Sequence, residues 1–243
     1  MSEMYPLVIS KITRNTQNAV LISFKVSEAE NEIFRFEAGQ YLTLETNINE
    51  KSVRRSYSIC SSVNEALQVG IKEVPEGLFS THANRSLRVE DIIMVAPPEG
   101  RFRYISSPQG QTLAAFAAGS GITPIMSILK TSLSDHVDNR FHLVYGNKKP
   151  EETMFYSELK DLEKEFKGRL SIQWIFSQAN VKGSLFGRIN SDIVKNVLKY
   201  LGKNVNKFFL CGPEGMIETV SNNLLDEGID ETSILFELFS SSV

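Results

Sequence analysis

Residues 113–133 read LAAFAAGSGITPIMSILKTSL. The first six are small or apolar without alternation, as in a strand covered on both faces. Gly119 and Gly121 then make a tight turn, and apolar residues at helical spacing follow from Ile122. The same grammar recurs downstream. FHLVYG (141–146) precedes Phe155, Leu159, Leu162 and Phe166 at helix spacing, and LSIQWIF (170–176) precedes SDIVKNVLKYL (191–201) with Asn190 or Ser191 as N-cap. KFFLCG (207–212), MIETVSNNLLDEG (216–228) and SILFELF (233–239) complete the series. Strand and helix alternate four times, which predicts a parallel sheet with helices on both faces.

Before residue 108 the pattern is different. Val20, Ile22, Phe24 and Val26 share one face of a period-two segment, as do Leu67, Val69 and Ile71. Turn-rich pieces such as ETNINEKS (45–52) and APPEGRF (96–102) separate these segments, and no long helical pattern appears. A small closed antiparallel barrel is the expectation. A chain of 243 residues, 42% of them hydrophobic, is long enough for two such domains. Their boundaries are placed at 1–106 and 107–243.

A formal net charge of −3 gives no global attraction to nucleic acid or an anionic membrane. No apolar run approaches the roughly 20 residues of a bilayer span, and MSEMYPLVIS is not built like a signal peptide. The cytoplasm is therefore the expected compartment. Cys60 and Cys211 are the two cysteines, too few for a four-cysteine cluster, so no metal site is expected.

Ligands of open parallel sheets bind beyond the carboxyl ends of the strands. AAGSGITP (117–124) stands at one such end, where free helix N–H groups and a positive dipole would favour an anion. A strand-to-helix turn also needs glycine for purely local reasons. The usual dinucleotide fingerprint fails here, because Pro124 replaces its third glycine and VYGNKK carries no acid at the second strand's tip. FLCGPEGM (209–216) follows a second strand; Cys211 there is either beside a ligand or an ordinary small hydrophobe. Glu237, between Phe236 and Leu238, is placed either on an exposed edge or for a function, and the pattern favours the edge. RRSYSICSS (54–62) poses a further question, because two adjacent arginines have no carboxylate near them in sequence.

RRSYSICSS, GLFS (77–80), GSGITP (119–124), CGPEGM (211–216) and FELF (236–239), in this order, resemble the ferredoxin–NADP⁺ reductase superfamily. The likeness spans nearly the whole chain and is strongest to reductase components of bacterial oxygenases, including the phenylacetyl-CoA epoxidase reductase type. It implies an antiparallel flavin-binding β-barrel followed by a five-stranded parallel NAD(P)-binding α/β domain. It further implies that Arg55 contacts flavin phosphate, that Tyr57 packs on the flavin and that Ser58 lies near its reactive nitrogen. A guanidinium suits a phosphate, and Arg55 and Tyr57 alternate onto one strand face. By the same alternation Arg54 points elsewhere and is expected to be solvated. Backbone amides of Gly77, Leu78, Phe79 and Ser80 would hold the flavin pyrophosphate. Gly119, Ser120, Gly121, Ile122 and Thr123 would lie under the nicotinamide nucleotide's phosphates, with Cys211, Gly212 and Pro213 beside its ring.

Ser58, Cys211, Glu237 and Phe239 are the catalytic candidates on this resemblance. Phe239 stands where plant-type relatives have a stacking tyrosine, but four residues follow it, which departs from that pattern. FAD is the implied flavin and NAD(P)H the implied substrate. A basic group for the 2′-phosphate of NADP is expected after SIQWIFSQ, where Ser177 is followed by Gln178. Lys148, Lys149, Lys182 and Arg188 are substitutes that are equally ordinary surface charges. The implied activity is hydride transfer from NAD(P)H to FAD, then single-electron delivery to an oxygenase system. Relatives of the epoxidase type continue into a ferredoxin domain, whereas this sequence stops at Val243. The expectation is thus a [2Fe–2S] ferredoxin partner or a missing C-terminal ferredoxin domain. A free-flavin reductase and a non-catalytic nucleotide-binding subunit are the alternatives.

Overall fold

The computed structural model describes residues 3–202 and 204–239. The residues that follow Phe239, on which the departure from the plant-type pattern rests, lie outside that range, as do Met1 and Ser2. The chain divides into two compact units, Met1–Ile105 with Met126–Thr131 and Ser106–Ile125 with Ser132–Val243.

The first unit is built on six antiparallel strands: β1 (Tyr5–Thr16), β2 (Ala19–Lys25), β3 (Tyr41–Ile48), β4 (Lys51–Ser58), β5 (Gln68–Lys72) and β6 (Ile92–Val95). Their order is β4-β3-β6-β1-β2-β5. An antiparallel bridge between Ile59 and Val69 joins the two outer strands, and Cys60 N–H donates to Gln68 O at 2.9 Å beside it. That closure removes the open edges a six-stranded sheet would otherwise expose.

Most of ETNINEKS is strand instead of loop. The turn between β3 and β4 narrows to Asn49 and Glu50, both left-handed at φ 51° and 63°. Two consecutive residues with positive φ make the tight hairpin whose twist matches that of its strands. Val20, Ile22 and Phe24 enter the barrel core, as do Leu67, Val69 and Ile71. Leu21 and Ser23 on the other side of β2 are buried as well, so β2 is covered on both faces.

A short helix, α1 (Leu78–Arg85), contributes Phe79 and Ala83 to the same core. Asn84 fastens it, donating to Ile71 O at 3.2 Å while Arg14 donates to its carbonyl at 2.7 Å. Eight residues are too few to display a clear 3.6-residue period, which is why the sequence pattern shows no helix here.

After Ser106 the chain alternates β7 (Thr112–Ala118), α2 (Ile122–Asp135), β8 (Arg140–Asn147), α3 (Tyr156–Glu165), β9 (Leu170–Phe176), β10 (Leu185–Phe186), α4 (Ser191–Leu201), β11 (Lys207–Gly212), α5 (Glu214–Asp226) and β12 (Ile234–Leu238). All six strands are parallel, in the order β10-β9-β8-β7-β11-β12. Five are those anticipated. The sixth, β10, has two residues and no periodicity to read.

Ala114, Phe116, Val144, Ile175 and Leu210 pack with residues of α4 and α5 on one face. On the other, Tyr156 of α3 meets Trp174 edge-on at 4.8 Å. Asn190 is the N-cap of α4 and accepts from Ile193 N–H at 3.1 Å. Arg169 closes the far end of α2, donating to the carbonyls of Leu133, His136 and Val137, each at 2.9 Å. The Leu133 carbonyl is one of those that the last turn of an α-helix leaves without an internal donor.

Candidate functional site

In the first unit, Arg55 and Tyr57 share one face of β4. Among the described residues no carboxylate pairs with Arg55; its guanidinium donates to Arg54 O at 2.8 Å, leaving most of its donors for a ligand. Tyr57 sits 5.4 Å from the buried ring of Phe79, which fixes the tyrosine ring from behind. Burial raises the Tyr57 hydroxyl pKa, with the Arg55 charge acting against the shift, so the two side chains are within electrostatic reach of each other.

Ser58 ends β4, is buried, and by the pleat points away from Arg55 and Tyr57. Arg54 is exposed, as the alternation predicts, but it also has a carboxylate partner that the sequence did not show. It pairs with Glu45, directly opposite on β3. Nine residues apart in sequence, the two meet only through strand register.

Gly77 precedes α1, whose first N–H groups have no helical acceptor and can serve an anion. A Cβ on Gly77 would stand 2.5 Å from both Ser80 Oγ and Val74 Cγ2. The Ser80 hydroxyl is already used, donating to Gly77 O and accepting from Val74 N–H, each at 3.2 Å. Phe79 is core, so it and Ser80 offer a ligand their backbones alone. Leu78 is exposed.

In the second unit, the strand order reverses direction between β7 and β11, and that is where a ligand crevice forms in a doubly wound sheet. Gly119, Ser120 and Gly121 follow β7 there, while Cys211 and Gly212 end β11. Gly121 has an ordinary helical backbone at φ −60°. Its glycine is required by space, because a Cβ would run into the Cys211 carbonyl and stand 2.8 Å from Gly212 N. Gly119 is the reverse case, with φ 56° and open space where a methyl group would stand.

Ile122 and Thr123 are buried, and the Thr123 hydroxyl donates to Ser120 O at 3.0 Å. Both therefore have only N–H groups to offer. Two helix N-termini converge at this crevice, and their first turns differ. That of α5 carries Glu214, whereas that of α2 has no acidic residue. The positive end of α2 is thus the one left for an external anion.

Cys211 is fully buried, and burial first, then the Glu237 charge, push its thiol well above the usual range. It is a neutral thiol at neutral pH, unsuited to nucleophilic work. Glu237 lies opposite it on β12, half-buried on the sheet's outer strand. Two of the catalytic candidates, Cys211 and Glu237, are thereby brought together, while Phe239 lies just past β12 and is partly exposed.

Tyr145 is a residue the sequence reading missed. Fully buried on β8, it donates its hydroxyl to Gly119 O at 2.9 Å. The only prior signal was a tyrosine inside a largely apolar run. Among the described residues no group of three or more His, Cys, Asp or Glu could hold a metal ion, and no helix is long and apolar enough to cross a membrane.

Residues 6–104 match the oxidoreductase FAD-binding domain and residues 116–222 the oxidoreductase NAD-binding domain. One component of the 1,2-phenylacetyl-CoA epoxidase of Escherichia coli K12 is 34% identical over 251 residues, spanning 99% of this chain and 69% of that protein. The ferredoxin reductase component of 3-ketosteroid-9-alpha-monooxygenase from Rhodococcus rhodochrous is 30% identical, over 97% of this chain and 65% of its own. The fold matches the FAD/NAD-binding domain of Vibrio cholerae nitric oxide dioxygenase with a TM-score of 0.84 at 21% identity, covering 98% and 99% of the two chains. It also matches a ferredoxin NADP⁺ reductase from Neisseria gonorrhoeae, crystallised with FAD and NADP, with a TM-score of 0.79 at 21% identity, covering 98% and 99%. With its paired FAD- and NAD-binding domains, the chain belongs to the ferredoxin–NADP⁺ reductase superfamily of flavoprotein oxidoreductases.

Proposed function

We propose that this protein takes hydride from NAD(P)H onto bound FAD and passes the electrons singly to an iron–sulfur, ferredoxin-like partner or domain of an oxygenase-type system. The observation that carries the reading is the likeness, along 99% of the chain, to an epoxidase component. A second relative is named as a monooxygenase's ferredoxin reductase component.

The residues present fit the two ligands. Arg55, with no carboxylate partner among the described residues, and the amides that open α1 suit a pyrophosphate, and Tyr57 backed by Phe79 suits a flat ring. At the other site, the Gly119 to Gly121 turn lets backbone approach a dinucleotide, and α2 directs its positive end toward the phosphates. Flavin supplies the change from a two-electron hydride to single electrons. The protein's contribution is to bind, orient and exclude water. Cys211, neutral and buried, gives the nicotinamide an apolar neighbour, and Glu237 beside it offers a carboxylate to the carboxamide.

Protein purified with its flavin should be yellow and bleach anaerobically with NADH or NADPH. It should reduce ferricyanide readily and cytochrome c slowly until a [2Fe–2S] ferredoxin is added. Flavin lost on desalting would favour a free-flavin reductase. Binding without turnover would favour a nucleotide-binding subunit. Fast anaerobic cytochrome c reduction without ferredoxin or free flavin would remove the iron–sulfur partner from the scheme.

A further inference from the structure

A fully buried phenol is costly unless its hydroxyl is bonded, and phenylalanine would fill nearly the same volume. Tyr145 is 0% exposed, and its hydroxyl donates to Gly119 O at 2.9 Å. The Asn147 carboxamide and the Met154 N–H flank the phenolic oxygen, and burial keeps the hydroxyl protonated throughout the neutral range. With the Met154 N–H beside its oxygen, the Tyr145 proton has the Gly119 carbonyl as its acceptor.

The segment that carries Met154 is held against local preference. Phe155, bulky and buried, has a left-handed backbone at φ 59°, which costs roughly 1–3 kcal/mol and persists only where the surroundings impose it. The Trp174 ring lies tilted against that of Tyr145, their centroids 6.0 Å apart.

The Gly119 carbonyl belongs to the peptide that joins Gly119 to Ser120. In a trans peptide the C=O and N–H point in opposite directions across one plane. Drawing the carbonyl inward therefore turns the Ser120 N–H outward, at the start of the turn that leads into α2. Gly119 has no side chain to resist this, and at φ 56° it adopts a conformation that other residues avoid. Without the phenol, the peptide plane is free to rotate and the N–H loses its fixed aim.

We propose that Tyr145 is a positioning residue for nucleotide binding, its buried hydroxyl orienting the Gly119–Ser120 peptide so that the Ser120 N–H meets a phosphate of NAD(P)H. The inference rests on the proposed function and adds to it a residue that never touches the nucleotide. Its contribution is to the affinity for the pyrophosphate, and not to the hydride step.

The test uses the flavin-bound full chain and Tyr145→Phe, which keeps the ring. Calorimetric titration with NAD⁺ and NADP⁺ gives Kd, and ferricyanide-coupled turnover with NADH and NADPH gives KM and kcat. Loss of one oriented donor should raise Kd and KM roughly five- to tenfold, with kcat within about twofold and an unchanged flavin spectrum. Gly119→Ala should also raise Kd, since it disturbs the same peptide, and the double variant should fall well short of the product of the two effects. Kd within twofold of the parent for Tyr145→Phe, or effects that multiply fully in the double variant, would overturn the assignment. So would a fall in kcat with KM unchanged. A parent protein that neither binds nor oxidises either nucleotide would instead sink the proposed function, and this inference with it.

Discussion

Gly121→Ala and Gly119→Ala add the same methyl group two residues apart, and the structure assigns them different penalties. At Gly121 the backbone is ordinary, so alanine has no conformational cost there. Its methyl would collide with the Cys211 carbonyl and come within 2.8 Å of Gly212 N. That backbone cannot recede, because β11 is held between β7 and β12, with Cys211 in register with Ala117 and Glu237. Overpacking against fixed backbone costs about 3 kcal/mol, the upper end of the usual range. For a chain this long that corresponds to a melting temperature lower by about 9 °C. At Gly119 the methyl meets nothing within 4 Å, but φ is 56°, and a left-handed alanine costs roughly 1–2 kcal/mol, or about 3–6 °C. Differential scanning calorimetry of the two variants and their parent measures both. Should Gly121→Ala melt within about 2 °C of the parent, or above Gly119→Ala, the steric account of this turn is wrong.

Other perturbations read different parts of the molecule. Arg55→Ala should weaken FAD retention roughly tenfold to a hundredfold, the value of about 1.5–3 kcal/mol for a charge-assisted contact; unchanged binding in a flavin titration would remove Arg55 from the site. Cys211→Ala and Glu237→Gln should slow flavin reduction in stopped flow while leaving the flavin spectrum intact, and rates equal to the parent's would make both residues structural. His142, buried beside Ser171 and the Tyr200 ring, is pushed down to about 4 by burial. The folded state therefore resists protonating it, so its contribution to stability is intact above pH 6.5 and is lost as pH falls from 6.5 towards 4. Urea unfolding should show about 2 kcal/mol less stability at pH 5 than at pH 7 from this group, and His142→Asn should flatten that part of the profile.

The local grammar of the chain was legible because it is written between near neighbours. Period-two alternation, apolar runs, glycine turns and the 3.6-residue spacing of α2 to α5 each depend on residues within one element, so the sequence alone determined a barrel followed by a parallel α/β sheet. It failed where an element was too short to carry a period, as at α1 with eight residues and β10 with two. At the site, the turn at residues 119–123, the Arg55 strand and the Cys211 strand were recognisable as motifs, but their reasons were not. Whether a glycine is needed for φ or for space is decided by what stands opposite it. Cys211 stands opposite Gly121 only because β11 returns beside β7 after three intervening strands. Arg54 has a carboxylate partner because hairpin register sets Glu45 across from it. The Tyr145 hydroxyl has a purpose because parallel pairing brings β8 alongside β7, so that a side chain on one strand reaches a carbonyl at the end of the next. Strand register and order are properties of the closed sheets, and only the tertiary structure decides them, because residues far apart in sequence become neighbours when the sheets form.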